Sequence, residues 1–279
     1  MNMRLWGAVT HVNHLPILEL LAELGYEGVE VCIGGQNASE LKLLRVAVED
    51  LALGLSVVTS LPKEANPISE DEVERAAALA YGRARIDEAA LLGSELLVGE
   101  LAQANRVFSG KAPTDLEWER SRQFLREMGE YAALADMRLA LEFSNRYESY
   151  LINTAADAAR MCRDVGLDNV GVLYDTSHAH IEEANPAQAL PACGDHLFHV
   201  QLSESHRGTL GGGQVMWQET FATLDFLDYS GWLMVEGLGT GDSLAARSQN
   251  VWRNTFDNEQ QLATDAIEFV HTALRAQAL

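Results

Sequence analysis

The chain has 279 residues, 47% hydrophobic and 22% charged, a composition that excludes a disordered or fibrous protein. At this length about three-quarters of the unfolded chain's surface can be buried, and no run approaches the 18 consecutive apolar residues of a membrane span. Twenty Lys and Arg against 41 Asp and Glu leave a net charge of −21, which repels phosphate backbones and anionic lipids and so argues against nucleic-acid and membrane partners.

In chain order, the N-terminal stretch MNMRLWGAVTHVNH has one early Arg and only a short apolar run. That is a poor secretory signal, and a cytoplasmic location is expected. Apolar runs rich in Val, Leu and Ile predict strands over residues 5–9, 28–33, 55–60, 95–100, 138–143, 170–175, 197–203 and 232–237. Their starts lie 23 to 43 residues apart, long enough for a crossover helix each time and never a hairpin turn. Runs apolar on both faces suit a parallel sheet covered on both sides. Pro16 opens a helix with Ile17, Leu20, Leu21 and Leu24 on one face, and Gly25 stops it. Ser69 with Glu72 forms a capping-box pattern before an Ala-rich helix ending near Gly93. Thr154 caps a helix running to Gly166, and Asp257 opens a last one with Leu262, Ala266, Phe269 and Val270 aligned.

Eight strands alternating with helices predict one (β/α)8 TIM barrel domain over residues 1–279. The rival, an open doubly wound sheet, usually shows a glycine-rich first turn, and GAVTHVNH has none. Cys32, Cys162 and Cys193 are odd in number, widely spaced and in no CxxC pattern, so they read as reduced core thiols.

A barrel places its active site at the C-terminal ends of its strands. Four strands finish in polar or titratable residues: Glu142 in LALEFSN, Asp175 in VGVLYDTSH, Gln201 in FHVQLSES and Glu236 in WLMVEGLG. One acid in an apolar strand can be a satisfied core carboxylate. Three at matching depth would repel one another and take up protons unless a divalent metal joins them.

The segments LEFSNRYESYLINT, LYDTSH, HVQLSESHRG with GGGQVMW, and GWLMVEG resemble the xylose-isomerase-like barrel superfamily, and within it the ketose 3-epimerases of the tagatose and psicose (allulose) type. The motifs span about residues 140–240, with successive spacings of 33, 26 and 35 residues. The resemblance implies four strand-end ligands for one divalent metal, the first and last being glutamates that also move protons. Glu142, Asp175 and Glu236 match three of them. The fourth departs: the epimerase pattern has His where this chain has Gln201. Gln is familiar there in the hydroxypyruvate isomerase branch, through its carbonyl oxygen. An all-oxygen set suits Mn²⁺ or Mg²⁺, with Co²⁺ possible. His199, two residues before Gln201 on the same side of its strand, is a candidate partner behind the ligands or a substitute ligand. Glu148, His178 and Arg207 match positions that contact the sugar or place a catalytic glutamate.

The implied chemistry is proton abstraction beside a carbonyl, with the metal as Lewis acid to an enediolate and Glu142 and Glu236 working on opposite faces. The same constellation serves an aldose–ketose or hydroxypyruvate-type isomerase, or a lyase of 3-keto-glycosides. A nuclease on this barrel would need a histidine cluster and a basic face, which eight His and this charge do not provide. A barrel whose site has decayed through the His-to-Gln change is the non-enzymatic alternative. Glycine loops at 210–213 and 237–241 leave a phosphorylated sugar open. His11, Asn13 and His14 follow the first run, Trp6, Trp118 and Trp217 are large aromatics more often used in packing, and Ser60 and Glu100 end earlier strands. Relatives of this kind form dimers or tetramers, so a homo-oligomer acting on a small sugar is expected.

Overall fold

Seven strands pair in parallel in chain order: β1 Gly28–Cys32, β2 Gly54–Leu61, β3 Leu96–Ala104, β4 Arg138–Glu142, β5 Val170–Asp175, β6 Leu197–Leu202 and β7 Trp232–Val235. They come from a computed structural model that describes residues 1–239, 246–247 and 250–277. Helices α1 Leu15–Glu23, α2 Ala38–Asp50, α3 Glu72–Leu92, α4 Asp115–Ala133, α5 Ala155–Val165, α6 Thr176–Glu182, α7 Pro186–Ala189, α8 Trp217–Phe226 and α9 Glu259–Gln277 alternate with them. This is the expected TIM-barrel architecture, but residues 5–9 are not its first strand. Met1 and Asn2 take that place: Glu30 N donates to Met1 O at 3.0 Å and Asn2 N to Val235 O at 2.8 Å. Two residues thus bridge β1 and β7 and nearly close the barrel. The Asn2 side chain then accepts from Arg4 N and caps a 3-10 turn over Met3–Leu5. Extended conformation therefore ends before the apolar run begins.

Period-two alternation sorts the strand residues. Val29, Val31, Val57, Leu97, Leu139, Leu141, Val172, Tyr174 and Val200 join the large core, whereas Cys32, Val58, Leu96, Val98, Ala140 and Leu173 form a separate small cluster. The second set fills the barrel interior. Glu30, Ser56, Glu142 and Asp175 share its alternation, and Glu142 and Asp175 continue it to the C-terminal ends of β4 and β5. Between β2 and β3 the register shifts after Ser60, beside Gly99 with φ +130°. A Cβ there would collide with the Thr59 carbonyl oxygen, so only glycine fits this bulge.

Helix punctuation follows the sequence with two corrections. Pro16 lies in the first turn of α1, Thr154 accepts from Asp157 N, and Gly93 and Gly166 end their helices in left-handed conformation. Asp71, not Ser69, caps α3 by accepting from Val73 N. Ser69 instead takes the Asp71 amide, since a helix end has several free donors that compete for nearby acceptors. The last helix begins two residues after Asp257, with Asn258 accepting from Gln261 N. All three cysteines are free and buried, and burial pushes their thiols up to about 12. No helix among the described residues is long and apolar enough to cross a membrane.

Candidate active site at the strand ends

Strand register brings the sequence candidates to one level. Asp175 pairs with Gln201, and Gln201 with Met234, one residue pair short of the end of β7. Glu236 follows immediately, its amide donating to Leu202 O at 3.0 Å. Glu142 is the last residue of β4. Glu142, Glu236, His178 and Arg207 line one small cavity with Arg4, Glu100 and Glu148. Glu142, Glu148 and Glu236 are buried and Glu100 is half-buried. Glu142, Asp175 and His178 each present a donor atom within 4.8 Å of the others, a spacing that a divalent cation can span.

Asp175 serves two purposes. Its Oδ1 accepts from the Ser177 and His178 amides at 2.6 and 3.1 Å, capping α6. Its Oδ2 accepts from Ser203 Oγ at 3.0 Å and Arg207 Nη1 at 2.8 Å. Burial alone would raise this carboxyl, but the charge of Arg207 and its hydrogen bond hold it well below the usual range. Arg207 Nη1 also donates to Glu236 Oε2 at 2.7 Å, clamping two carboxylates that would otherwise repel. Glu236 additionally takes Asn2 Nδ2 at 3.0 Å and lies 3.7 Å from Arg4 Nη1. Burial, with the negative charges of Asp175 and Glu142, outweighs both arginines and pushes it up to about 8. The site is therefore short of positive charge.

His178 Nδ1 accepts from the Asn145 amide at 3.0 Å, which puts the ring proton on Nε2, 3.2 Å from Glu142 Oε1. Arg207 Nη2 lies 3.1 Å from the same nitrogen. Asn145 Nδ2 donates to Glu148 Oε1 at 3.0 Å and so fixes Glu148 at the cavity edge. Gln201 donates from Nε2 to Glu30 Oε1 at 2.6 Å. Its Oε1 is buried without a hydrogen-bond partner among the described residues. His199 Nε2 lies 2.8 Å from Glu30 Oε2, so this ring packs behind Gln201 rather than standing in for it.

Asn2, Arg4 and Glu30 escaped the sequence, and Glu100, which the sequence marked only as a strand end, joins them in the network. Glu100 accepts from Asn105, and burial with Glu148 and Glu142 nearby pushes it up to about 7. Glu30 carried the same signal as Glu142, an acid within an apolar strand. Arg4 and Asn2 gave none, since their place depends on how the N-terminal turn closes the barrel.

The other candidates lie elsewhere. His11 is exposed and bonded to Glu40, Asn13 is exposed, and Trp118 donates to Asp164 on the helical layer. Trp6 and Trp217 pack on the core. Within the glycine loop at 210–213 the Gly211 amide is taken by Glu204 and the Gly212 amide by the Thr209 carbonyl. Glu204 Oε2 takes Gly211 N and Trp217 Nε1, and its Oε1 takes the Ser205, Gln214 and Val215 amides. The loop at 237–241 lies partly outside the described residues. A wider cleft at the opposite end of the barrel, beside Arg138, Phe198 and Trp232, contains none of the candidate residues.

The family model for the xylose isomerase-like TIM barrel matches residues 18–269. L-ribulose 3-epimerase of Mesorhizobium japonicum is 31% identical over 272 residues, covering 96% of this chain and 91% of that protein. A solved L-ribulose 3-epimerase structure superposes with a TM-score of 0.94 at 27% identity, over 100% of this chain and 94% of that one. The D-allulose 3-epimerase of a Methylomonas species, solved with D-allulose, gives 0.90 at 25% identity, over 98% and 95%.

Proposed function

The chain belongs to the xylose isomerase-like TIM barrel family and is an enzyme of the epimerase or isomerase type, and from that premise we propose that it epimerises a ketose at C3. Glu142 takes or returns the carbon-bound proton on one face and Glu236 on the other. What carries the proposal is the convergence of these two carboxylates, from strands three apart around the barrel, on one buried cavity with His178 and Arg207. A single base would move a proton within one face, and inversion needs two.

A divalent cation fits the residues present. Glu142, Asp175 and Glu236 are buried together, with Arg207 shared between the last two, and Gln201 offers a buried carbonyl oxygen that no donor among the described residues satisfies. These four would hold the ion, and such hard oxygen donors suit Mn²⁺ or Mg²⁺. When bound, it supplies Lewis acidity toward the sugar's carbonyl and adjacent hydroxyl oxygens. His178 Nε2 and the Arg207 guanidinium donate hydrogen bonds to sugar oxygens, and Glu148 accepts one from a hydroxyl.

The charge of the cavity favours a neutral ketose. Glu100, Glu142 and Glu148 surround it and repel an anion such as hydroxypyruvate or a sugar phosphate. In the nearby glycine loop the Gly211 amide donates to Glu204 and the Gly212 amide to Thr209 O, so neither is free to cradle phosphate. Incubating the Mn²⁺-loaded enzyme with a panel of ketoses in D₂O tests the proposal. Deuterium at an inverted C3 is the expected result. Exchange confined to C1 would point instead to aldose–ketose isomerisation, and no exchange with any ketose would refute both.

A further inference from the structure

A glutamine side chain can turn either end toward a cation: the carbonyl oxygen, which binds, or the NH₂, which does not. The two ends have nearly the same shape, so something else must choose. Gln201 Nε2 lies 2.6 Å from Glu30 Oε1, while Gln201 Oε1 is buried and has no hydrogen-bond partner among the described residues. Glu30 is wholly buried on β1. Its Oε1 also accepts from Asn2 Nδ2 at 2.8 Å and its Oε2 from Ser56 Oγ at 2.9 Å, while His199 Nε2 lies 2.8 Å from Oε2 outside hydrogen-bond geometry. A carboxylate surrounded by donors is an acceptor only and admits just the NH₂ end of Gln201.

We infer that Glu30 is a positioning residue that turns the Gln201 carbonyl oxygen toward the cation site and, through Asn2, ties Glu236 to the same anchor. This rests on the function proposed above, in which Gln201 and Glu236 hold a divalent ion. The link through Asn2 is well defined. Its Oδ1 accepts from Arg4 N at 2.8 Å, which fixes its amide, and its Nδ2 hydrogens go one each to Glu30 Oε1 and Glu236 Oε1 at 2.8 and 3.0 Å. One buried carboxylate thus orients two of the four ligands. None of its own atoms lines the cavity.

The test is Mn²⁺ titration of the metal-stripped protein by calorimetry, with circular dichroism as a check on folding. Glu30→Gln gives position 30 a donor of its own and lets Gln201 reverse. Mn²⁺ binding should weaken by about 10- to 100-fold, as for other partners behind metal ligands. The exchanged pair E30Q/Q201E keeps shape, net charge and the hydrogen bond between the two positions, and again turns an oxygen to the site. It should bind within about fivefold of the parent. Parent-like affinity in Glu30→Gln overturns the inference, and so does a loss that the exchanged pair fails to recover, since that would mark a purely structural or charge effect. Should Glu30→Gln not fold, the exchanged pair decides alone by the same criterion. A crystal structure of the Mn²⁺-loaded parent with Gln201 outside the ion's ligand shell would also overturn it. A parent that binds no stoichiometric Mn²⁺ refutes the proposed function itself, and this inference with it. A parent that binds while the variants do not respond refutes the inference alone.

Discussion

Glu204→Gln isolates the loop that carries Arg207. The Glu204 carboxylate accepts five hydrogen bonds of 2.8 to 3.2 Å, from the Ser205, Gly211, Gln214 and Val215 amides and Trp217 Nε1. Its own carbonyl takes the Arg207 amide at 2.8 Å, and Arg207 sits at φ +61°, a conformation that its surroundings must hold. In the amide variant one end becomes a donor. In the better orientation it faces Gly211 N and Trp217 Nε1, so two donors lose their acceptor and three lose charge assistance. At about 1–3 kcal/mol per orphaned donor, reduced because Gly211 reaches solvent, the cost is about 2–4 kcal/mol. For a chain of this size that lowers the unfolding midpoint by about 4–8 °C. The pH dependence has a definite sign. Burial would raise this carboxyl, but the Ser205 and Val215 amides and the Trp217 N–H lower it overall. Its stabilisation is thus complete above the unfolded value of about 4.3 and is lost as pH falls through the lower folded value. The gap between parent and variant should therefore be widest near neutrality and close below about pH 4. Calorimetric scans across pH, with kcat/KM on a responsive ketose, are the assay, and a loosened Arg207 should lower kcat/KM by about tenfold. A variant whose midpoint stays within about 1 °C of the parent at pH 7 would refute the account of the loop.

Three further outcomes are expected. Glu142→Gln and Glu236→Gln should each lose about 10²- to 10⁴-fold in turnover while keeping their circular dichroism, and near-normal turnover in either would remove it from the proton-transfer pair. Dialysis against EDTA should abolish activity and Mn²⁺ restore it, with the unfolding midpoint rising by about 5 °C at a hundredfold excess over Kd; activity that survives chelation contradicts the metal. Gly99→Ala forces a Cβ into the Thr59 carbonyl and should cost several kcal/mol or yield insoluble protein, so a normal midpoint would show that the bulge relaxes freely.

The barrel was legible because its signal is redundant. Seven apolar runs at crossover spacing survive an error of one or two residues at any boundary, and each became a strand. The eighth failed for a local reason. Residues 5–9 are apolar enough for a strand, but pairing at the barrel seam is completed by Met1 and Asn2, whose side chains give no periodic signal over two residues. The Asn2 cap then commits the chain to a turn. Helix starts slipped by two residues in α3 and α9, where Asp71 stood near Ser69 and Asn258 beside Asp257 as equally good acceptors.

The site was legible only where burial carries a penalty. Glu142, Asp175 and Glu236 stand out because an acid in an apolar strand demands a partner, and the structure puts all three at one mouth. The same rule applied to GVEVC would have singled out Glu30, yet no rule of burial says which partner an acid finds. That depends on register and on strands distant in the chain: Glu30 meets Gln201 across 171 residues and shares Asn2 with Glu236. Glu204 makes the same point in reverse. A glycine loop after a late strand suggests free amides for phosphate, and only the fold reveals that the Glu204 side chain and the Thr209 carbonyl have already taken two of them. A burial penalty therefore marks which residues must be satisfied, and the closed sheet decides whether a cation, an arginine or a backbone amide does so.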